Sequence, residues 1–410
     1  MRIAYLHQYF NTPEMPGGTR SYEMARRLVA RGHEVNMVTS WREDDCRRDW
    51  FETEEAGIRV HWLPVPYSNK MGFHERIRAF FRFAWGAARK AASSPADVVF
   101  ATSTPLTISL PAAYAAKRQN IPMVFEVRDL WPELPIAVGA LKNPVLRSAA
   151  RKLERFAYSQ SEHIVALSPG MNEGIVKTGF PQDRIAVIPN SCDIDLFQVP
   201  IEKGMALRRK FEWLGNRPLV IYAGTFGRIN GVGYLAKLAA EMLDMANDVR
   251  FLAVGEGYEY ENIRNKAREL NVLDRNFFML RQLPKAEMPA LFSAATSTMS
   301  TFIDLPEMWG NSANKFFDSL AAARPVAINY GGWQADLLRE TGAGLVLPPK
   351  DIPQAANILA KAIKDREWLK KAGRAAFELA RYRFSRERLA GQLEKVLIAA
   401  VGSPSGSGPD

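Results

Sequence analysis

The sequence predicts an α/β protein built as two doubly wound, mostly parallel halves, and three observations carry that prediction. Strand-like apolar runs alternate with helical patterns from the first residue, an order that lays helices over the faces of a parallel sheet. The alternation opens a second time at Leu219–Ala223, LVIYA, after a joining segment and helix over Gly204–Pro218. With 410 residues and 47% hydrophobic content, the chain exceeds one ordinary core and reads as two domains of roughly 150 to 200 residues.

The first half begins with an apolar run at residues 3–9, a loop carrying Pro13, Pro16, Gly17 and Gly18, a helical pattern over Ser21–Ala30 and a strand over Glu34–Thr39. This opening puts Gly17 and Gly18 at the carboxyl end of the first strand, where open parallel sheets bind ligands and bare backbone can approach one. The dinucleotide fingerprint G-x-G-x-x-G is absent, and a plain turn is the alternative. Further strand patterns fall at Ile58–Leu63, Val98–Ala101, Met123–Val127, His163–Leu167 and Arg184–Ile188.

Between them, Phe73–Lys90 reads as a helix with two unlike faces. Ile77, Phe80, Phe81, Ala84 and Ala88 make an apolar stripe, while Arg78, Arg82 and Arg89 share an edge. Phe83 stands among cations and, with Trp85, matches a surface helix lying on anionic lipid; a solvated basic face is the alternative. The stretch Glu126–Glu133, EVRDLWPE, follows a buried strand, and Pro132 forces its predecessor into extended backbone. It lies at the strand's carboxyl end, on the rim of a cleft between two domains. Asp129 is placed to meet a substrate hydroxyl and Arg128 an anion. The alternatives are capping by Asp129 and pairing of Arg128 with Glu126 or Glu133. Ile188–Phe197 ends the first sheet in a run of turn formers.

The second half has strand patterns at Leu219–Ala223, Arg250–Val254, Phe277–Leu280, Thr296–Thr301, Val326–Asn329 and Gly344–Leu347. Ala223–Gly233, AGTFGRINGVG, is a glycine-rich loop between a strand and a helix, an arrangement that lets amides reach a phosphate; Arg228 is its one cation. Gly255, Glu256 and Gly257 follow the next strand as a weaker candidate for a base or ribose. In Glu307–Pro325, Ser312 is a good N-cap, a helix starts at Ala313, and it stops before Pro325. At about 100° per residue, Phe316, Phe317 and Leu320 face a core while Asn314, Lys315 and Asp318 share the other side. A helix N-terminus favours an anion, Lys315 adds a point charge for phosphate, and Asp318 can accept hydrogen bonds from ribose hydroxyls. The constellation suits a nucleoside diphosphate; an amphipathic helix with an ordinary Lys/Asp pair is the alternative.

A net charge of +10 calls for an anionic partner such as a nucleotide-sugar, an anionic membrane surface or nucleic acid, and RNA-recognition and helix-turn-helix signatures are absent. Cys46 and Cys192 have neither disulfide-framework nor zinc spacing, which points to a reducing cytoplasm. The first residues read as a strand rather than a signal peptide, and no apolar run approaches the ~18 residues of a span, so membrane contact is expected to be peripheral. Five histidines form no cluster, and His7 reads as packed rather than catalytic. The tail 402–410, GSPSGSGPD, is low-complexity and expected to be disordered.

Taken together, Gly17-Gly18 with Gly32-His33-Glu34-Val35, EVRDLWPE, Pro189-Asn190 with Asp193 and Phe197, Gly255-Glu256-Gly257, and Asn314-Lys315 with Asp318 leading to Arg324-Pro325-Val326 resemble glycosyltransferase family 4. Within it the pattern is similar to the N-acetyl-L-fucosamine-type transferases of O-antigen and capsule assembly, over nearly the whole chain to about Ala400. The resemblance implies a GT-B fold, two Rossmann-like domains facing across a cleft: 1–200 for the acceptor, 201–384 for the nucleotide-sugar, and 385–401 as a helix crossing back to the first.

The resemblance further implies retaining transfer from a UDP-sugar to a polyprenyl-diphosphate-linked saccharide at the inner face of the cytoplasmic membrane, with no metal, no cofactor and no nucleic acid. Lys315 would hold the donor diphosphate and Asp318 the ribose, with Asn314 among the donor-binding residues, Gly17 and Gly18 the phosphate side of the cleft, and Asp129 the sugar or acceptor. Gly224, Thr225, Gly255 and Glu256 would line the donor, and Arg78, Arg82, Phe83 and Trp85 the acceptor and membrane side. Two departures stand out. Gly310 occupies the position, eight before Asp318, where the family usually has an acid, with Glu307 nearby; Thr225 and Asn230 stand where an Arg and a Lys are common, leaving Arg228 as a partial replacement. A nucleotide-sugar 2-epimerase is the rival of the same architecture. An NAD-dependent dehydrogenase lacks its fingerprint, and a two-lobed sugar-binding protein would normally carry a signal peptide.

Overall fold

The computed structural model describes residues 1–15, 17–43, 45–67, 71–246 and 248–403, so most of the expected disordered tail, 404–410, lies outside the described residues. It divides into two units, Met1–Pro189 with Arg386 onward, and Asn190–Ser385. Residues 190–200, expected at the end of the first domain, belong to the second unit.

Unit 1 is built on eight strands: β1 (Arg2–Leu6), β2 (Glu34–Trp41), β3 (Phe51–Glu55), β4 (Ile58–Pro64), β5 (Val98–Thr102), β6 (Met123–Val127), β7 (His163–Ala166) and β8 (Ile185–Val187), in the order β3-β4-β2-β1-β5-β6-β7-β8. All neighbours pair in parallel except β3 with β4. Period-2 alternation feeds a core on each face. Ala4, Leu6, Val99, Ala101, Met123 and Phe125 enter one, and Ile3, Tyr5, Val98, Phe100 and Val124 the other. The edge strand β3 is absent from the sequence reading because FETEE has too few apolar residues; Ala56 and Gly57, both at positive φ, turn it back on β4.

The last helix, Arg386–Gly402, packs in unit 1 against Arg20–Ala30 through buried Leu389, Ala390, Leu393 and Leu397. Glu394 ties it down, pairing with His33 at 2.8 Å and Arg31 at 2.9 Å.

The helix Phe73–Ser93 requires a correction. Phe83, expected on the lipid-facing side, is 1% exposed in the core with Ala79, Ala87 and Ala91, and packs beside the helix Ser109–Gln119. The inward stripe runs at strict fourfold spacing through small alanines that admit one large ring, a pattern overshadowed in the sequence by the larger Phe80–Phe81 pair. Phe81 and Trp85 are exposed, with Arg78 and Arg82 exposed beside them and the Arg89 guanidinium 4.5 Å from the Trp85 ring centre. Among the described residues, no helix is long and apolar enough to cross a membrane.

Unit 2 carries a six-stranded parallel sheet: β9 (Leu219–Ala223), β10 (Arg250–Val254), β11 (Phe277–Leu280), β12 (Ser297–Ser300), β13 (Val326–Ile328) and β14 (Gly344–Val346), ordered β11-β10-β9-β12-β13-β14. Alternate residues again enter opposite cores, Val220, Tyr222, Phe251 and Ala253 on one face and Leu219, Ile221, Leu252 and Val254 on the other.

Candidate functional site

In unit 2 the strand order reverses between β9 and β12, and the crevice beyond the carboxyl ends of such a pair is where open α/β sheets take ligands. The loop after β9 is locked from below by the loop after β10. Gly224 N–H donates to the Val254 carbonyl at 3.0 Å and Phe226 N–H to the Glu256 carbonyl at 2.7 Å. The approach is so close that a Cβ on Gly255, itself at φ +153°, would lie 1.8 Å from the Gly224 oxygen. The expectation that Gly224 offers its amide to a ligand is therefore corrected. Within Gly224–Gly227, Thr225 and Gly227 are the residues whose amides are not spent on this contact.

Lys315 reaches this crevice from the first turn of the helix Asn314–Ala321. Its amine lies 4.8 Å from the Phe302 ring centre, 5.0 Å from that of Tyr222 and 3.5 Å from the Tyr222 hydroxyl. With the Asn230 amide oriented to satisfy its surroundings, its oxygen accepts from Lys315 at 3.3 Å and its nitrogen donates to the Thr225 carbonyl at 3.2 Å. Lys315 is 9% exposed, and burial pushes its pKa down to about 7. Asn314 is exposed and Asp318 half-buried, so the expected polar face holds two of its three members near solvent and turns the cation inward.

The helix start also differs from expectation. Ala313 is the N-cap residue and offers no side-chain cap, because the Ser312 hydroxyl accepts from Asn190 N–H at 2.9 Å instead. The Asn190 amide also donates to the Ser312 carbonyl, and Trp333 Nε1 to that of Asn311 at 2.9 Å, so residues 311–313 are fastened from two sides. This is what Asn190 does locally: it fixes the entry to the helix bearing Lys315. Arg228 sits exposed in the turn Arg228–Asn230, and Glu307 is exposed in the turn Pro306–Met308. Glu256, a candidate for the ribose or base, pairs with Arg281 at 3.0 Å.

Unit 1 has its own reversal between β1 and β5. Asp129, after β6, is half-buried and accepts from the Thr104 hydroxyl at 3.2 Å; burial holds its carboxyl above the usual range against the opposing effects of Arg128 and Thr104. Arg128 Nη1 lies 3.4 Å from His7 Nε2. The alternative pairings of Arg128 do not occur, since Glu133 pairs with Arg151 and Glu126 with Arg20.

Arg20 was not singled out from the sequence, yet it organises this edge. It donates to Glu126 Oε1 at 2.8 and 3.0 Å, to the Ile188 carbonyl at 2.9 Å and to the Pro189 carbonyl at 2.6 Å, with both side chains essentially unexposed. It stands directly after the loop of Gly17 and Gly18, whose backbone is held by Asn11 Nδ2 donating to the Gly18 carbonyl at 3.2 Å. Its signal was one cation at the start of an amphipathic helix, which reads as solvated until the strand behind it is known to carry a buried acid.

Comparison with known proteins agrees with this division. The family described as "Glycosyl transferase 4-like domain" matches residues 17–191, and that described as "Glycosyl transferases group 1" matches residues 205–379. The chain is 21% identical over 295 residues to the putative colanic acid biosynthesis glycosyl transferase WcaI of Escherichia coli K12, covering 68% of this chain and 72% of that one. It is 22% identical to the GDP-mannose-dependent alpha-(1-6)-phosphatidylinositol monomannoside mannosyltransferase of Mycobacterium tuberculosis, over 94% of this chain and 95% of the other. Its fold is similar to that of Anabaena Alr3699/HepE, solved with UDP-glucose, at a TM-score of 0.73 and 17% identity, covering 97% of this chain and all of that one.

Proposed function

We propose that this chain, which belongs to the glycosyltransferases in both of its halves, transfers an N-acetylated hexosamine from a UDP-sugar to a polyprenyl-diphosphate-linked saccharide with retention of configuration. The observation that carries the reading is Lys315, a buried amine at the strand-order reversal of unit 2, beside a loop held down by backbone contacts and by the Tyr222 hydroxyl on the Thr225 carbonyl. A diphosphate supplies the counter-charge that this amine lacks in an apolar setting. The UDP and UDP-glucose complexes of HepE support a uridine donor, and the colanic acid relative supports surface polysaccharide, O-antigen among the candidates. The mannosyltransferase relative uses GDP-mannose, so the base is open to test. The 2-epimerase reading is not favoured, because the relatives named above are transferases.

In the reaction, an acceptor hydroxyl attacks the anomeric carbon on the face from which UDP departs. The bond to the diphosphate oxygen breaks as the new glycosidic bond forms, and the hydroxyl proton passes to the leaving phosphate. Lys315 and the amides of Thr225 and Gly227 stabilise charge developing on the diphosphate. Asp129 orients the acceptor, Arg228 supplements the cation, and Asp318 accepts from the ribose. No metal takes part, so turnover in EDTA stays at its level in buffer.

The exposed Trp85 and Phe81 with Arg78, Arg82 and Arg89 support docking on an anionic leaflet at the cytoplasmic face. The test is UDP release from a panel of UDP-N-acetylhexosamines, with and without a membrane extract containing polyprenyl-linked saccharides. Release that depends on the extract is expected; a change of sugar configuration without release would return the epimerase. In the same preparation, Trp85→Ser with Arg82→Glu should move the chain from sedimenting anionic vesicles to the supernatant. Unchanged sedimentation removes this helix from the membrane contact.

A further inference from the structure

The carboxyl edge of the unit 1 sheet gathers an imidazole and two guanidiniums. His7 follows β1, Arg42 follows β2 and Arg128 follows β6. The His7 imidazole is 3% exposed. Its Nε2 must accept from Arg128, because a guanidinium only donates, so Nδ1 carries the proton, and it has no partner. Burial first, then Arg128 and Arg42, hold the imidazole far below its usual pKa, which keeps it neutral. Arg42 is half-buried, its guanidinium pKa is lowered by desolvation, and it lies 5.9 Å from the Tyr9 ring centre while donating to Asn11 Oδ1. Among the described residues, neither Arg42 nor Arg128 has a carboxylate within ion-pair distance. The neighbouring acid, Asp129, accepts from the Thr104 hydroxyl, and burial raises its pKa against the opposing effects of Arg128 and Thr104. Two guanidinium charges acting on one buried imidazole, and its unmet N–H, are unfavourable until an anion joins them.

We propose that His7, Arg42 and Arg128 form a second anion site, in unit 1, that holds the phosphate of the acceptor. The inference rests on the transferase reading above and adds where the charged part of the acceptor is recognised. Guanidinium forks match phosphate oxygens two at a time, and the imidazole N–H supplies one further donor. Asn11 couples this site to the glycine loop: its Oδ1 accepts from Arg42 and its Nδ2 donates to the Gly18 carbonyl. Gly17 is required there, since at φ +120° a Cβ would sit 2.7 Å from Asn11 Nδ2. A phosphate held by Arg42 therefore bears on the same loop that lines the edge of the sheet.

The test is calorimetric titration of the full chain with inorganic pyrophosphate, with and without saturating UDP, in wild type and in Arg42→Gln, Arg128→Gln and Lys315→Ala. Wild type should bind pyrophosphate even when saturated with UDP. Affinity should fall about 10-fold or more in each arginine variant and survive in Lys315→Ala. Arg42→Lys and Arg128→Lys should recover part of it, and an unchanged circular dichroism spectrum and thermal melting profile in these variants report that unit 1 is folded. Loss of pyrophosphate binding once UDP is saturating, or binding indifferent to both arginines, overturns the proposal. In turnover, pyrophosphate should compete with the lipid-linked acceptor; competition against the UDP-sugar alone also overturns it. Failure of wild type to bind UDP would sink the donor reading separately, leaving the Lys315→Ala titration to decide this one.

Discussion

Lys315→Ala should lower kcat/KM by about 10²-fold to 10³-fold while leaving the chain folded, the scale set by removing one preorganised donor from a site of developing charge. The expectation follows from burial: an amine whose pKa has been pushed down to about 7 is only partly charged near neutrality, and a bound diphosphate restores the proton. Binding of UDP near pH 8 should therefore take up protons, visible as a dependence of calorimetric heat on buffer ionisation. UDP affinity should weaken as pH rises above about 7. The sign for folding is opposite to that of an ion-paired lysine. Because the folded pKa lies below the ordinary lysine value of 10.5, the unfolded chain binds more protons between about 7 and 10.5, and stability of the ligand-free protein rises with pH across that window. Lys315→Met should flatten this slope. Near-normal turnover in Lys315→Ala would take the residue out of the site.

Arg20→Met should destabilise unit 1 by about 3–5 kcal/mol, because it strands the Glu126 carboxylate at 0% exposure and leaves the carbonyls of Ile188 and Pro189 without their donor. Burial alone raises the Glu126 pKa, yet the Arg20 charge and hydrogen bonds, with smaller help from Arg128 and Thr102, hold it below its ordinary value. The pair's contribution is accordingly present above the unfolded carboxyl pKa and is lost as pH falls through the lower folded one. Adding Glu126→Gln to Arg20→Met should return part of the lost stability by removing the stranded charge, and a denaturant double-mutant cycle reads the coupling. Additive losses would mean that Arg20 acts by packing alone.

These two residues show which features local sequence exposes. The alternation of strands and helices, the break before Leu219 and the glycine pairs at 17–18 and 255–257 are local patterns. They follow from backbone sterics and period-2 or 3.6 burial within a few residues, and the two sheets appear where those patterns stand. The short distance from Asn314 to Asp318 likewise made the helix at the unit 2 site legible. The strand β3 and the phase of Phe73–Ser93 were not, since FETEE carries little apolar signal and two interleaved stripes compete along that helix.

Which neighbours each polar side chain meets belongs to tertiary structure. Nothing near Lys315 in sequence announces Tyr222, Asn230 and Phe302, which arrive from β9, the turn after it and the end of β12 and turn an expected surface cation into a buried one. Arg20 and Glu126 are 106 residues apart, and only the parallel order β1-β5-β6 closes that distance. His7, Arg42 and Arg128 are likewise brought to one edge by strand order. Local sterics choose helix or strand, whereas the charge state of a side chain depends on desolvation and on partners that chain topology alone brings together.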